Sequence, residues 1–157
     1  MARAPKCVRA EVDIDAPIER VWQILNDIDR YAEWNPFTPK LETTLRIGDP
    51  IHLQVRLVGE RLTHRLEWIT RNERYSLGWE MQMGARFVLH AERVQVLTAI
   101  DESRTHYMTE DCFSGWLRSL VVGLFGKAME RGFRDCGLGL KKAAESHPAE
   151  PWERVEP

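Results

Sequence analysis

The chain has 157 residues, 43% apolar and 29% charged, with 22 basic against 24 acidic side chains and a formal net charge of -2. Those figures exclude disordered, collagen-like and disulfide-scaffold classes, and the charge has the wrong sign for a general nucleic-acid binder. A chain of this size buries about 68 to 70% of its unfolded surface on folding, enough for one hydrophobic core.

The N-terminal segment alternates Val8, Ala10, Val12 and Ile14 with Arg9, Glu11, Asp13 and Asp15, the period of a strand with one buried face. Asp15 to Pro17 supply a capping carboxylate and a proline for a first helical turn, and Ile18, Val21, Trp22, Leu25 and Ile28 follow at helical spacing. Asp29 is placed to cap a second, shorter helix through Trp34, which Pro36 stops by disfavouring helical geometry at Asn35.

From Leu41 to Phe113 the period becomes two, broken by turns at Gly48-Asp49-Pro50, Gly59-Glu60, Arg71 to Arg74, Gly84 to Arg86 and Asp101 to Arg104. This predicts an antiparallel meander of six strands. A single register puts Leu45, Ile51, Leu53, Val55, Leu57, Leu62, Leu66, Trp68, Leu77, Trp79, Met81, Phe87 and Leu89 on one inner face. The sixth strand of the chain fits only with a bulge near Glu92 and Arg93, because Val94, Val96 and Ile100 sit on the opposite parity to Phe87, Leu89 and Ala91. The last strand then turns Thr105, Tyr107, Thr109, Asp111 and Phe113 inward.

After Gly115 a long helix is expected to about Glu145, nearly all-apolar from Trp116 to Gly126 and carrying a stripe of Met129, Phe133, Cys136, Leu140 and Ala143 beyond Lys127. Gly123 and Gly126 admit a kink or a close approach. Residues 146–157 are expected to be a flexible tail, leaving 1–145 as one domain. Cys7, Cys112 and Cys136, odd in number and widely spaced, indicate neither a disulfide framework nor a zinc site and point to a reducing compartment. With no apolar run behind a basic start, and Leu120 to Phe125 far shorter than the roughly 20 residues of a spanning helix, a cytoplasmic protein is expected.

This order of elements, an α+β chain of strand, two short helices, six strands and one long helix, carries Trp22, Trp34-Asn35-Pro36-Phe37, Leu77-Gly78-Trp79, Phe113-Ser114-Gly115 and Arg131-Gly132-Phe133. It resembles the START/Bet v 1-like superfamily (SRPBCC), and more narrowly the bacterial polyketide cyclase/dehydrase and lipid-transport family, over about residues 8 to 145. The resemblance implies a helix-grip fold, with a seven-stranded curved antiparallel sheet wrapped around the C-terminal helix and a deep apolar cavity between them. Such a cavity is expected to measure about 300 to 1,000 Å³.

Parity places His64 on the inner face among Leu62, Leu66, Trp68 and Met81, as a core histidine, a ligand contact or a proton carrier. Tyr107 and Asp111 share the inner face of the last strand and are the other weak catalytic candidates; Asp111 either orients a polar ligand end or lies solvated at the mouth. A His64/Asp111 pair is not expected, since about three strand spacings of roughly 4.8 Å separate them. The expected cavity wall comprises Tyr31, Trp34, Phe37, Val55, Leu57, His64, Leu66, Trp68, Leu77, Trp79, Met81, Tyr107, Thr109, Asp111, Phe113, Leu117, Val121, Leu124 and Ala128. Tyr31 and Phe37 would form a lid or staple the short helices to the sheet, and His52, His90 and His106 face solvent. The stretch Trp116 to Phe125 serves as gate or core, as a homodimer contact, or as a transient membrane contact.

No metal or cofactor is indicated. The expected function is binding or transport of a small hydrophobic molecule such as a lipid, isoprenoid or aromatic polyketide. The alternatives are a cyclase/aromatase or dehydratase, working mainly by orientation and proton transfer, and a protein-interaction or cochaperone-like domain.

Overall fold

A computed structural model describes residues 4–146; the expected tail therefore lies, but for Ser146, outside the described residues. Strand β1 (Lys6–Ile14) leads into helix α1 (Ile18–Asn26), which buries Val21, Ile24 and Leu25 along one stripe. Its N-cap is Pro17, whose carbonyl accepts from the Arg20 and Val21 amides, so the expected Asp15 carboxylate cap does not form. A single 3-10 turn (Ile28–Arg30) precedes α2 (Tyr31–Trp34), which has no side-chain cap from Asp29 and ends, as Pro36 requires, before Asn35.

The strands β2 (Lys40–Thr43), β3 (Pro50–Val58), β4 (Arg61–Glu73), β5 (Ser76–Met83), β6 (Leu89–Ala99) and β7 (Thr105–Ser114) complete one seven-stranded antiparallel sheet in the order β1-β7-β6-β5-β4-β3-β2. Helix α3 (Arg118–Glu145) presents Met129, Phe133, Cys136, Leu140 and Ala144 to the sheet, one position beyond the expected Ala143 at the last turn. Gly115, at φ 90°, makes the entry to α3 possible: a Cβ there would lie 2.6 Å from the Val88 carbonyl oxygen, while the next two amides, Trp116 and Leu117, bond to the Phe87 and Val88 carbonyls.

Register corrects several expectations. Leu57 forms a bulge between the Arg56–Leu62 and Val58–Arg61 pairs, so Val55 faces Thr63, Leu53 faces Arg65 and Ile51 faces Glu67. A one-residue slip exchanges the faces of a strand. His64, Leu66 and Trp68 therefore point away from the core, with Leu66 and Trp68 47% and 42% exposed, while Arg65, Glu67 and Ile69 point in. A second shift between Ile69 and Arg71 restores the phase, which is why Leu77 and Trp79 are buried as expected.

In β6 the bulge expected at Glu92 and Arg93 is absent, for the pairing with both neighbours runs unbroken. The inner face is instead Leu89, Ala91, Arg93, Gln95 and Leu97, two of them polar. Ile100 lies in the connection after β6, whose last pair is Ala99–Thr105; a loop one residue longer than expected cancels the missing bulge and leaves β7 in its expected phase. Phe87 sits in the β5–β6 turn and is 72% exposed rather than inward. His90 keeps its outward parity yet is buried, its Nε2 2.7 Å from Glu80. Cys7 and Cys112 are direct partners across β1 and β7 and are joined by a disulfide, contrary to expectation, because strand pairing abolishes their sequence distance. The bond removes the reason for expecting a reducing compartment.

Among the described residues no helix is long and apolar enough to cross a membrane. The stretch from Trp116 to Phe125 is divided: Trp116, Leu120 and Leu124 are 66%, 56% and 66% exposed, while Leu117, Val121, Val122 and Phe125 are half-buried against the core.

Candidate ligand-binding site

Between the concave sheet and α3 lies a cavity of about 40 Å³, walled by Leu53, Val55 and Leu57 of β3, Arg65 and Glu67 of β4, Trp79, Arg93 and Asp111 of β5 to β7, Phe37, and Met129 and Phe133 of α3. That is far below the expected volume and about what a single water occupies. Large side chains fill the space: Trp79, Phe133, Phe37 and Met129 are each no more than 6% exposed.

Arg93 is the centre of the wall. Pairing places it directly between Trp79 on β5 and Asp111 on β7. Its guanidinium carbon stands 4.3 Å from the ring centre of Phe133, 5.4 Å from that of Trp79 and 5.9 Å from that of Phe37. Such contacts with a desolvated arginine contribute about 2 kcal/mol. Nε donates to Thr109 Oγ1 at 3.2 Å, but Nη2 is buried without a hydrogen-bond partner among the described residues. A buried donor left unmatched costs about 1 to 3 kcal/mol.

Two carboxyl groups share the space. Glu67 is buried and accepts from Arg65 Nε at 3.3 Å; burial raises its pKa, against the pull of Arg65 and Arg93. Asp111 has a buried Oδ1 with no partner among the described residues. Burial, reinforced by the neighbouring Glu67 charge and opposed by Arg93 and Arg65, pushes its pKa up to about 7. At neutral pH Asp111 is therefore part protonated, able to give a proton or take one.

Behind Arg93 a second polar layer is neutral. Tyr107 donates to Gln95 Oε1 at 2.6 Å and lies 3.6 Å from Cys136 Sγ, to which Asn35 Nδ2 donates at 3.3 Å. Burial raises the pKa of Tyr31, Tyr107 and Cys136, leaving two phenols and a thiol rather than bases. Asn35 Oδ1 accepts from the Phe37 and Thr38 amides at 3.1 and 2.9 Å, which fixes the loop that inserts Phe37. This explains the Trp34-Asn35-Pro36-Phe37 segment: it positions a plug.

Phe37 packs on Gly132 so closely that a Cβ there would lie 2.1 Å from its ring. On the other side of Phe37 and Leu57 opens a groove of about 290 Å³, bordered by Arg56, Glu60, Ala128, Arg131 and Asp135. A larger hollow of about 780 Å³ between α2 and the end of α3, against Trp34, Leu138 and Gly139, is an open surface depression that shares no lining residue with the 40 Å³ cavity.

Of the residues expected on the wall, Phe37, Val55, Leu57, Trp79 and Asp111 border the cavity, and Ala128 borders the outer groove. Tyr31, Leu77, Tyr107, Thr109 and Phe113 are buried beside or behind it, Met81, Leu117 and Val121 are half-buried, and Trp34 borders the outer depression. His64, Leu66, Trp68 and Leu124 are turned to solvent and take no part. Arg65 and Glu67 were not expected here because the bulge at Leu57 inverts β4, and Arg93 was not because a bulge was expected beside it in β6. For Arg93 the signal was the need for an otherwise unexplained bulge in β6, where a polar inward Arg93 and Gln95 keep the strand regular.

A family model described as polyketide cyclase/dehydrase and lipid transport matches residues 5–145. Among solved structures, a START superfamily protein from Mycobacterium smegmatis aligns with TM-score 0.69 at 15% identity, over 89% of this chain and 97% of that one. The Zhui aromatase/cyclase from a Streptomyces species aligns with TM-score 0.62 at 18% identity, over 90% and 98%. Norcoclaurine synthase from Thalictrum flavum, in complex with dopamine and hydroxybenzaldehyde, aligns with TM-score 0.69 at 11% identity, over 93% and 90%. At these identities the likeness is one of fold. No curated protein is a significant sequence match.

Proposed function

The chain belongs to the polyketide cyclase/dehydrase and lipid-transport family, and from that membership we propose that it binds a small, mainly apolar organic molecule bearing an anionic or strongly accepting oxygen, held between the sheet and α3 with that oxygen on Arg93. The observation that carries this is the unmatched Nη2 of a buried arginine enclosed by three aromatic rings. A desolvated cation with no facing carboxylate within ion-pair distance among the described residues is costly, and an acidic oxygen from a ligand relieves the cost. Rings already stacked about the guanidinium supply the apolar company such a ligand needs.

Entry requires movement, because 40 Å³ admits no such molecule. Phe37 and Leu57 border both the cavity and the outer groove, so their displacement joins the two spaces. This supports a plug that a ligand must push aside and replaces the expected standing cavity.

The test compares two fluorescent probes of like shape, an anilinonaphthalene sulfonate and the uncharged N-phenyl-naphthylamine. The anionic probe should bind at least about tenfold more tightly, a difference of about 1.4 kcal/mol, and the preference should vanish in Arg93→Met. Absence of binding by both probes, or the same preference in the variant, overturns the proposal.

Acid–base catalysis is the second reading, favoured by one observation: Asp111, with an unmatched buried oxygen and a pKa near 7, borders the same space as Arg93. In that case Asp111 moves the proton and Arg93 steadies the developing oxyanion. His64 has no place in it.

A further inference from the structure

The outer face of the β1–β7 edge carries a cluster unconnected with the cavity. Pairing sets Cys7 opposite Cys112 and Arg9 opposite Glu110. Glu110 and Cys112, two residues apart on β7, share the face turned away from α3. The sulfurs and a Glu110 carboxylate oxygen all lie within 4.8 Å of one another, with Cys7 exposed and the others half-buried. Arg9 Nε donates to Glu110 Oε2 at 3.0 Å, holding that carboxylate beside the sulfur pair.

We propose that Cys7, Cys112 and Glu110 form a surface site for a thiophilic divalent cation of the zinc class, open only when the Cys7–Cys112 bond is reduced. As a disulfide the sulfurs are uncharged and offer no thiolate. A dithiol reductant changes this: its two thiols are oxidised to a disulfide as the Cys7–Cys112 bond is cleaved to two thiols, with two electrons and two protons transferred. The cation then displaces the two thiol protons and takes two thiolates and one carboxylate.

Metal–sulfur bonds of about 2.3 Å at a tetrahedral angle set two thiolates about 3.8 Å apart, so the sulfurs, closer than that while bonded, separate on reduction to straddle the cation, with the Glu110 carboxylate at about 2.0 to 2.2 Å and water in a fourth position. Two soft donors and one hard one exclude magnesium and calcium in favour of zinc, cobalt or cadmium. The complex has net charge -1, and the adjacent Arg9, which also reaches Glu11 at 3.3 Å, offsets it. The edge strand β1 is thus tied to β7 by a covalent bond under oxidising conditions and by a metal under reducing ones.

The full chain, reduced with dithiothreitol and freed of it by anaerobic gel filtration, is titrated with cobalt(II) and back-titrated with zinc. One cobalt per chain with a thiolate-to-cobalt charge-transfer band is expected, displaced by zinc, and none in the oxidised protein. Cys112→Ser should lose the band, and Glu110→Gln, which keeps both cysteines, should bind about tenfold more weakly or worse. The proposal is overturned if the reduced chain shows no band, if Glu110→Gln binds as the wild type does, if Cys112→Ser retains the band through Cys136, or if the disulfide resists reduction while the protein is folded.

Discussion

Replacing Asp111 by Asn should stabilise the protein, and the gain should appear with rising pH. The carboxyl ordinarily titrates near 3.8 and in the folded chain near 7. Between these values the unfolded state has released its proton and the folded state has kept it, so the unfolded state binds fewer protons and stability falls as pH rises. At about 1.4 kcal/mol per pH unit, a separation of about three units gives at most about 4 kcal/mol, lost by the wild type between about pH 4 and pH 7. The groups facing Asp111 are Glu67, Arg93 and Arg65, of which Glu67 is the other carboxyl whose pKa burial raises. Urea denaturation at about pH 4.5, 6 and 8 measures the difference directly. Asp111→Asn should lie within about 1 kcal/mol of the wild type at the lowest value and exceed it by several kcal/mol at the highest. Wild-type and variant stabilities that run parallel across this range would show that Asp111 ionises as freely folded as unfolded, and the buried acidic pair would fall with it.

Gly123→Ala and Gly139→Ala should have opposite signs in thermal melts: a Cβ at Gly123 meets open space and gains up to about 1 kcal/mol of helix propensity, whereas one at Gly139 would lie 1.9 Å from the Trp34 carbonyl oxygen and should cost about 1 to 3 kcal/mol. Cys7→Ser removes a link between residues 105 apart and should lower stability in denaturant by up to about 4.7 kcal/mol relative to the oxidised wild type, while leaving the reduced wild type nearly matched. Leu120→Glu, at a position 56% exposed, should shift stability by no more than about 0.5 kcal/mol; a larger loss that depends on protein concentration would reveal a face covered by a second copy.

Much of the fold was legible because it rests on local periodicity. Alternation in Val8 to Ile14, helical spacing from Ile18 to Leu25 and the stripe from Met129 to Leu140 each report a face that must be buried whatever lies opposite. Turn residues marked the hairpins, and the sheet order followed from consecutive antiparallel pairing. The site was less legible. Phe37, Trp79 and Asp111 do border the space between the sheet and α3, whereas His64, Leu66 and Trp68 turn outward because parity does not carry unbroken through a hairpin that contains a bulge at Leu57.

The amino-acid order by itself determined which segments become strands and helices and which face of most of them is apolar, because those properties depend on neighbours within a few residues. Only the tertiary structure decided that β4 inverts between two bulges, that Arg93 and Gln95 face inward, that Cys7 meets Cys112 across 105 residues, and that aromatic side chains fill the interior to about 40 Å³. Each of these is a matter of register or of volume between distant elements. One extra residue in a strand reverses every side chain beyond it, at a local cost too small for composition to reveal.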